Sequence, residues 1–241
     1  MNWETFFETR QGQIVVIGAI LIAFLLVLIR GKGKKADVRG LVLSAIFVAL
    51  YMVLDTLSLY RMPSGGSVTP FSMLVIIVAT YVMGIRRGLM TGMVAGFMDL
   101  LINPYVIHPV QLLLDYPLAV GSLALAGIAF LKRPGKKSAE TQTGPAAASK
   151  PSKLAALFDS SLVLIPGSVL GCLGRYFCTF LSGTIFFGEY APEGFNAVTW
   201  SLYYNGLYIG IELVLTIALL CVPSVRELFA RLRREYRKYL N

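Results

Sequence analysis

Residues 108–120, His-Pro-Val-Gln-Leu-Leu-Leu-Asp-Tyr-Pro-Leu-Ala-Val, open an apolar run long enough to cross a membrane. The run places an acid, Asp115, and a phenol, Tyr116, next to a proline within the hydrocarbon region. A charged side chain at the centre of a bilayer costs about 2.5–3.5 kcal/mol, so such residues usually face a cavity or a partner. Asp115 and Tyr116 are therefore the first candidates for a binding surface, and we expect the other helices to be arranged around them.

The composition of the whole chain is that of a membrane protein. It has 241 residues, of which 56% are hydrophobic, and a mean hydropathy of +0.69. These values are typical of an all-α, polytopic helical bundle and exclude an ordinary soluble domain. The three cysteines have neither zinc-site nor disulfide spacing. Because there is also no phosphate-binding loop or nucleophile elbow, we expect neither an enzyme nor a bound metal or cofactor.

Seven apolar segments predict seven membrane-spanning helices. The third and fourth are short for a hydrocarbon core of about 30 Å, which indicates that they are tilted or enclosed by protein. We divide the chain into an N-terminal helix with a basic loop (1–39), a helical domain (40–225) and a basic tail (226–241). A disordered linker is expected at 134–153 because it is polar and rich in proline, alanine and serine. The apolar segments are residues 13–30, 40–59, 71–85, 88–103, 109–131, 154–182 and 199–222.

Positive charge is distributed unevenly among the loops. With seven spans, 19 of the 22 basic residues fall on one side, Arg10 and Arg61 fall on the other, and Arg175 lies within a span. The positive-inside rule then predicts a multi-pass protein of the cell membrane with its N-terminus outside and its C-terminus in the cytoplasm. The net charge of +9 is therefore a signal of topology and not of nucleic-acid binding. The tail is either an amphipathic helix on the anionic inner leaflet or an ordinary positive-inside tail.

Several polar and small residues have two interpretations each. Asp115 either forms an ion pair with Arg175 or stays available for a cationic ligand. Acids such as Asp99 and Glu212 equally suit contacts between helices, so we do not place them in a site. Ala45 and Ala49, four residues apart, pack either within the chain or against another protein.

The predicted outer loops contain many aromatic residues and turn formers. Their rings suit a membrane-interface belt, or a pocket for a flat, positively charged heterocycle next to a carboxylate. The segment Gly65-Gly66-Ser67 lies between two prolines, Pro63 and Pro70. This composition permits close approach of the backbone to a ligand. His108, the single histidine, is expected to cap the helix that follows it.

Taken in order over about residues 40–222, these motifs resemble those of the thiamine-specific substrate-binding (S) components of energy-coupling factor (ECF) vitamin transporters. The run at 108–119 is the longest and most specific of them. The first apolar segment and the 134–153 linker lie outside the usual six-helix pattern of the family. The matching runs are Met62-Pro-Ser-Gly-Gly-Ser-Val68, Arg86-Arg-Gly88, His108 to Ala119, Gly174-Arg-Tyr176, Leu181-Ser-Gly183, Tyr190-Ala-Pro192 and Ser201-Leu-Tyr-Tyr-Asn-Gly206.

The resemblance implies a six-helix S-component core, here with one extra N-terminal transmembrane helix, that captures thiamine from outside. It also implies a transmembrane coupling protein and two cytoplasmic ATPases as partners. Ala45 and Ala49 match the alanine pair through which the family contacts the coupling protein. Outer loops are expected to cover a pocket built from the last three spans. By similarity the ligand-binding residues are Asp115, Tyr116 and Asn205, with Phe187 and Trp200 lining the pocket.

Three positions depart from the family pattern. Thr179 stands where histidine is common, Trp200 where tyrosine is usual, and Phe187 where tryptophan occurs. Since a threonine cannot stack on a thiazolium ring, the candidate ligands are thiamine, its phosphates and its pyrimidine precursor. The alternative function is a stand-alone, proton-coupled secondary transporter of a cationic heterocycle, with Asp99, Asp115 or Glu212 carrying the proton. A third alternative is a membrane scaffold without transport activity.

Overall fold

The computed structural model describes residues 38–63, 65–130 and 161–239, together with Gly18 and Ile22. The predicted first span, apart from those two residues, and the 134–153 linker lie outside this part of the chain. The described part consists of helices and one short β-hairpin. Their bounds are α1 Val38–Thr56, β1 Tyr60–Arg61, β2 Ser67–Val68, α2 Ser72–Met83, α3 Ile85–Ile102, α4 Pro109–Ala129, α5 Leu164–Phe186, α6 Ala197–Cys221 and α7 Pro223–Lys238.

The helices confirm the prediction of an all-α membrane bundle. Four of them, α1, α4, α5 and α6, are long and apolar enough to cross a bilayer. The six helices α1 to α6 correspond to the second to seventh predicted segments. α7 begins after Val222 and forms most of the predicted basic tail.

The short helix α2 lies at the centre of the bundle. All its residues from Ser72 to Val82 are buried. Helices α1, α3, α5 and α7 pack around it. The prediction that a short span is enclosed by protein is therefore confirmed for α2.

Helix α4 has an irregular centre that positions the predicted binding residues. His108 caps its start, with Nδ1 accepting a hydrogen bond from the backbone N of Val110 at 3.1 Å. The turn Leu114–Leu118 is π-helical and contains Pro117. A proline inside an α-helix clashes with the carbonyl four residues earlier, and a wider turn relieves that clash. Gly96 of α3 packs directly on the backbone of this turn, where no side chain would fit.

Those basic residues predicted to share a side that fall in the described ranges, namely Arg39, Arg86, Arg87 and the basic residues of α7, lie at one end of the bundle. Helix α7 crosses that end, because its side chains reach the start of α1, the end of α2 and the start of α3. The guanidinium of Arg39 lies 4.3 Å from the ring centre of Tyr239, and that of Arg233 lies 4.3 Å from the ring centre of Tyr81. Arg87 donates a hydrogen bond to the hydroxyl of Tyr236. The opposite end holds the hairpin and the other predicted outer loops.

Candidate ligand-binding site

A cavity of about 360 Å³ lies beneath the predicted outer loops. This volume is in the range of about 300–1,000 Å³ that is typical of small-molecule sites. Helices α1, α3, α4, α5 and α6 and the hairpin all contribute to its wall. All eight predicted ligand-binding residues line it: Gly66, Ser67, Asp115, Tyr116, Thr179, Phe187, Trp200 and Asn205.

The expectation of a pocket built only from the last three spans is wrong. Asp55 of α1 and Asp99 of α3 also line the cavity. Their carboxyl groups are adjacent. Asp99 Oδ1 accepts a further hydrogen bond from Asn103 Nδ2 at 3.2 Å. The cavity therefore has a second acidic region, separate from Asp115.

Asp115 is held in place by Gln111, one helical turn earlier. Gln111 Nε2 donates to Asp115 Oδ2 at 2.7 Å and to the carbonyl of Tyr105 at 3.0 Å. Gln111 Oε1 accepts from the backbone N of Ile107 at 3.2 Å. This one amide thus connects the acid to the loop that precedes α4. We did not predict Gln111, although its spacing of four residues from Asp115 places both side chains on the same face of a helix.

Arg175 lines the same cavity but does not neutralise Asp115. Within the described ranges the two residues form no ion pair. Nε and Nη1 of Arg175 are buried and have no hydrogen-bond partner among those residues. The structural alternative, an Asp115–Arg175 ion pair, is therefore wrong, and the carboxylate faces the cavity with Gln111 as its neighbour.

Tyr116 lines the cavity with its ring but uses its hydroxyl elsewhere. The hydroxyl donates to the carbonyl of Asn103 at 2.8 Å and accepts from the backbone N of Tyr105 at 2.8 Å. Both partners belong to the loop between α3 and α4. Tyr116 thus shapes that loop, and its hydroxyl is not free for a ligand in this conformation.

Asn205 and Thr179 are likewise engaged in hydrogen bonds within the chain. Asn205 Nδ2 donates to the carbonyls of Ser201 at 3.0 Å and Thr179 at 3.3 Å. Asn205 Oδ1 accepts from the hydroxyl of Tyr208 at 3.0 Å. Thr179 Oγ1 donates back to its own helix, 3.2 Å from the carbonyl of Arg175. These contacts fix the amide of Asn205 before any ligand enters.

Aromatic rings form two groups at the cavity. Phe187 stacks on Tyr105, with ring centres 6.0 Å apart and planes at 16°. Trp200 lies 5.5 Å from Tyr204 and 5.4 Å from Phe195. The first group comes from the loops before α4 and after α5 and the second from α6 and the loop before it, so the rings approach the cavity from two directions.

The hairpin lies over the cavity and requires its glycines. Gly65 and Gly66 have φ angles of +85° and +77°, which side chains strongly disfavour. The hydroxyl of Tyr204 donates to the carbonyl of Gly65 at 2.7 Å. A Cβ atom on Gly66 would lie only 3.2 Å from the ring of Tyr208. The hairpin backbone thus packs closely on the rings of α6, and its approach to a ligand stays a prediction.

Glu212 anchors the segment that follows the hairpin. Its carboxylate, on α6, accepts from Thr69 Oγ1 at 2.7 Å, from Ser72 Oγ at 3.1 Å and from the backbone N of Met73 at 2.8 Å. The residue is only 1% exposed. Glu212 therefore joins α6 to the start of α2, as expected of an acid that connects helices.

With this geometry described, the chain can be compared with known proteins. Residues 41–230 match the family model described as thiamine transporter protein (Thia_YuaJ). The chain belongs to the thiamine transporter protein family. Membership confirms the predicted resemblance to thiamine transporters, and it confirms that the chain is a transport protein and not an enzyme.

Individual relatives agree with this family assignment. The chain is 32% identical over 181 residues to the thiamine transporter ThiT of Bacillus subtilis (strain 168), which covers 74% of this chain and 86% of the relative. It is 31% identical over 149 residues to ThiT of Lacticaseibacillus paracasei, covering 58% and 67%. A solved structure of ThiT from Listeria monocytogenes has a TM-score of 0.57 at 23% identity, covering 78% of this chain and 97% of that one. The last comparison supports the fold.

Proposed function

We propose that this transporter is the thiamine-binding S component of an ECF-type vitamin transporter. One observation carries the proposal. The carboxylate of Asp115 faces a cavity lined by aromatic rings, and Arg175 does not neutralise it. A cationic, flat ligand suits such a cavity, because a carboxylate offsets its charge and rings stack on its faces.

In the proposed mode of binding, Asp115 lies next to the cationic part of thiamine. Phe187 and Trp200 stack on its rings, and Asn205 contributes a hydrogen bond after exchanging one of its present partners. The low dielectric inside the bundle strengthens each of these contacts. Thr179 contributes shape only, since its hydroxyl already donates to its own helix.

We further propose that α1 contacts the coupling protein. Ala45 and Ala49 are both exposed on this helix, so a second helix can approach closely there. The energy would come from two ATPase subunits bound to that partner. Co-purification with a coupling protein tests this step: Ala45→Trp should abolish it, and Met90→Trp, at an exposed position of α3, should leave it unchanged.

The proposed orientation has the cavity outside and the basic end in the cytoplasm. It is supported by the contacts of Arg39, Arg87 and Arg233 with rings at the same end. A membrane-impermeant thiol reagent on intact cells tests it. Glu193→Cys, in the loop before α6, should react, and Lys238→Cys should not. The reverse pattern would reject the orientation.

A ligand screen tests the binding function most directly. Purified protein should be titrated with thiamine, its phosphates and its pyrimidine half. Calorimetry measures binding, and the fluorescence of Trp200, which lines the cavity, reports occupancy. Saturable binding of thiamine with quenching of Trp200 is expected. Absence of binding by every member of the series would reject the proposal.

The rival function, proton-coupled transport, is favoured by two further acids at the cavity. Asp55 and Asp99 line it from membrane-spanning helices, where acids commonly serve in proton relays. Glu212 is a poor carrier, since its carboxylate is committed to three donors. Reconstitution of the chain alone separates the two functions. Uptake driven by a pH gradient without any ATPase would favour the rival, and uptake only with the partners would favour the S component.

A further inference from the structure

Helix α7 carries an exposed apolar stripe formed by Leu228, Leu232 and Tyr239. At about 100° per residue, the three positions fall within about 40° of one another around the helix axis. Leu228 and Tyr239 are each 62% exposed, and Leu232 is 37% exposed. The side chains that attach α7 to the bundle, Phe229 and Tyr236, lie roughly a quarter turn away. The ring of Tyr239 contacts Arg39 of α1, so the part of the stripe that the bundle does not cover is Leu228 and Leu232.

The position of α7 determines what lies next to that stripe. The helix crosses the basic end of the bundle, from the end of α6 to Arg39 at the start of α1. Its inner face points to the bundle. A face a quarter turn from the inner one is directed along the plane of the membrane, at the level where the helices end. With the bundle spanning a bilayer, the neighbour at that level would be the boundary between lipid head groups and acyl chains.

The charges of α7 are strongly unbalanced. Its two acids are already paired: Glu227 with Arg231 at 2.7 Å, and Glu235 with Lys238 at 2.7 Å. Across the described residues, no carboxylate forms an ion pair with the remaining basic side chains of the helix. The pKa of Arg237 is lowered by burial and by the like charge of Arg233, one turn away. The side chains without an ion-pair partner are Arg226, Arg233, Arg234 and Arg237, and of these Arg233 is held over the ring of Tyr81.

We propose that α7 is a membrane-surface helix that binds the anionic phospholipids of the leaflet at the basic end of the bundle. Leu228 and Leu232 insert between the head groups, and Arg226 and Arg237, on another face of the helix, bind the phosphates of those head groups. A helix with one apolar face and a basic polar face lies in the membrane interface. Each basic residue near an anionic leaflet contributes about 1 kcal/mol of attraction. The proposal does not depend on the identity of the transported ligand.

Spin labels on the full-length protein test the proposal. Labels are placed on Leu228→Cys, and on Arg234→Cys as the matched control on the outward face, in a Cys221→Ser background. The two remaining cysteines, Cys172 and Cys178, are buried. Each protein is placed in nanodiscs of neutral phosphatidylcholine, with or without about 30 mol% of an anionic lipid such as phosphatidylglycerol. Accessibility to oxygen, which concentrates in lipid, is compared with accessibility to a water-soluble nickel complex.

In anionic nanodiscs, the label at Leu228 should be several-fold less accessible to nickel than the label at Arg234. The difference should shrink in neutral lipid, and in anionic lipid when Arg226→Gln and Arg237→Gln are introduced into the Leu228→Cys protein. A second label at Leu232→Cys should give the same pattern. This result would show that the protection at position 228 is not caused by the substitution at that one site. Equal nickel accessibility at positions 228 and 234 in both lipids would overturn the proposal. The proposal would also be overturned if the label at Leu228 were protected from nickel only after a soluble protein is added. Equal protection of that label in neutral and anionic lipid would overturn it as well.

Discussion

Asp115 and Arg175 face one cavity from neighbouring helices without forming an ion pair. The carboxylate instead accepts a hydrogen bond from Gln111 at 2.7 Å, while Nε and Nη1 of Arg175 have no partner in the described chain. Two opposite charges held apart inside a membrane protein are costly to the empty protein. Gln111 offsets only part of this cost for Asp115, so a cationic ligand that contacts the carboxylate would offset more of it.

The first prediction concerns Asp115→Asn. The amide keeps the size of the side chain and still accepts from Gln111, so the helix should be unaffected. Loss of the negative charge should weaken thiamine binding by about 2–5 kcal/mol, which is at least about thirtyfold in Kd. Calorimetric titration measures the change. Glu227→Gln, an exposed acid on α7, is the control and should bind like the parent; an unchanged Kd for Asp115→Asn would contradict the assigned role.

The second prediction separates backbone strain from the contact with Tyr208 as effects of a side chain at position 66. Gly66→Ala should weaken ligand binding, because alanine is strained at φ +77° and its Cβ would press on the ring of Tyr208. Gly194→Ala is the matched control: Gly194 has φ +91° but open space around it. Both should lose about 1 kcal/mol of local backbone stability, and only Gly66→Ala should raise the Kd. Equal Kd values for the two variants would show that the contact with Tyr208 does not matter.

The third prediction concerns Glu212→Ala. The change leaves Thr69, Ser72 and the backbone N of Met73 without their shared acceptor inside the bundle. We expect a loss of about 3 kcal/mol or more in unfolding free energy, seen as a lower Tm of the detergent-solubilised protein. Glu227→Ala should change the Tm little, since exposed ion pairs contribute about 0–1 kcal/mol. Similar Tm values for the two variants would refute the anchoring role.

The fourth prediction is a pH dependence on α7. The guanidinium of Arg231, which donates to Glu227 at 2.7 Å, lowers the pKa of Glu227 below its usual value. Because the folded pKa is the lower one, the pair stabilises α7 above the unfolded pKa of about 4.3. That stabilisation disappears as the pH falls through the folded pKa. Carboxyl NMR should show the low midpoint, and Arg231→Gln should move it upward; a midpoint that Arg231→Gln leaves in place would contradict the pairing.

Much of the fold was predictable because membrane hydrophobicity is a local property of the sequence. The segment predicted at 199–222 became α6, Ala197–Cys221, almost without change. The segment predicted to end at residue 182 continues to Phe186. Its last turns contain Ser182, Gly183 and Thr184, which look like the end of a span. They stay helical because Gly183 allows Ser201 of α6 to pack against them.

The site was predictable only in part. The residues at 108–119 and 201–206 were found because their motifs are unusual and ordered along the chain. Asp55 was missed as a cavity residue, because α1 is apolar all round and its sequence does not reveal which face is internal. The hydrogen bonds of Tyr116 to Asn103 and Tyr105 were missed because they depend on the path of a loop. Such contacts are set by tertiary packing and leave no periodic signal.

The enclosed helix α2 has a consequence for how the protein is made. With 12 residues it is about 18 Å long, too short to cross the hydrocarbon core alone. Only Gly84 separates it from α3, so we expect the two helices to enter the bilayer together. We further expect α2 to become stable there only once α1, α3, α5 and α7 pack around it, because its length does not allow it to span the lipid by itself.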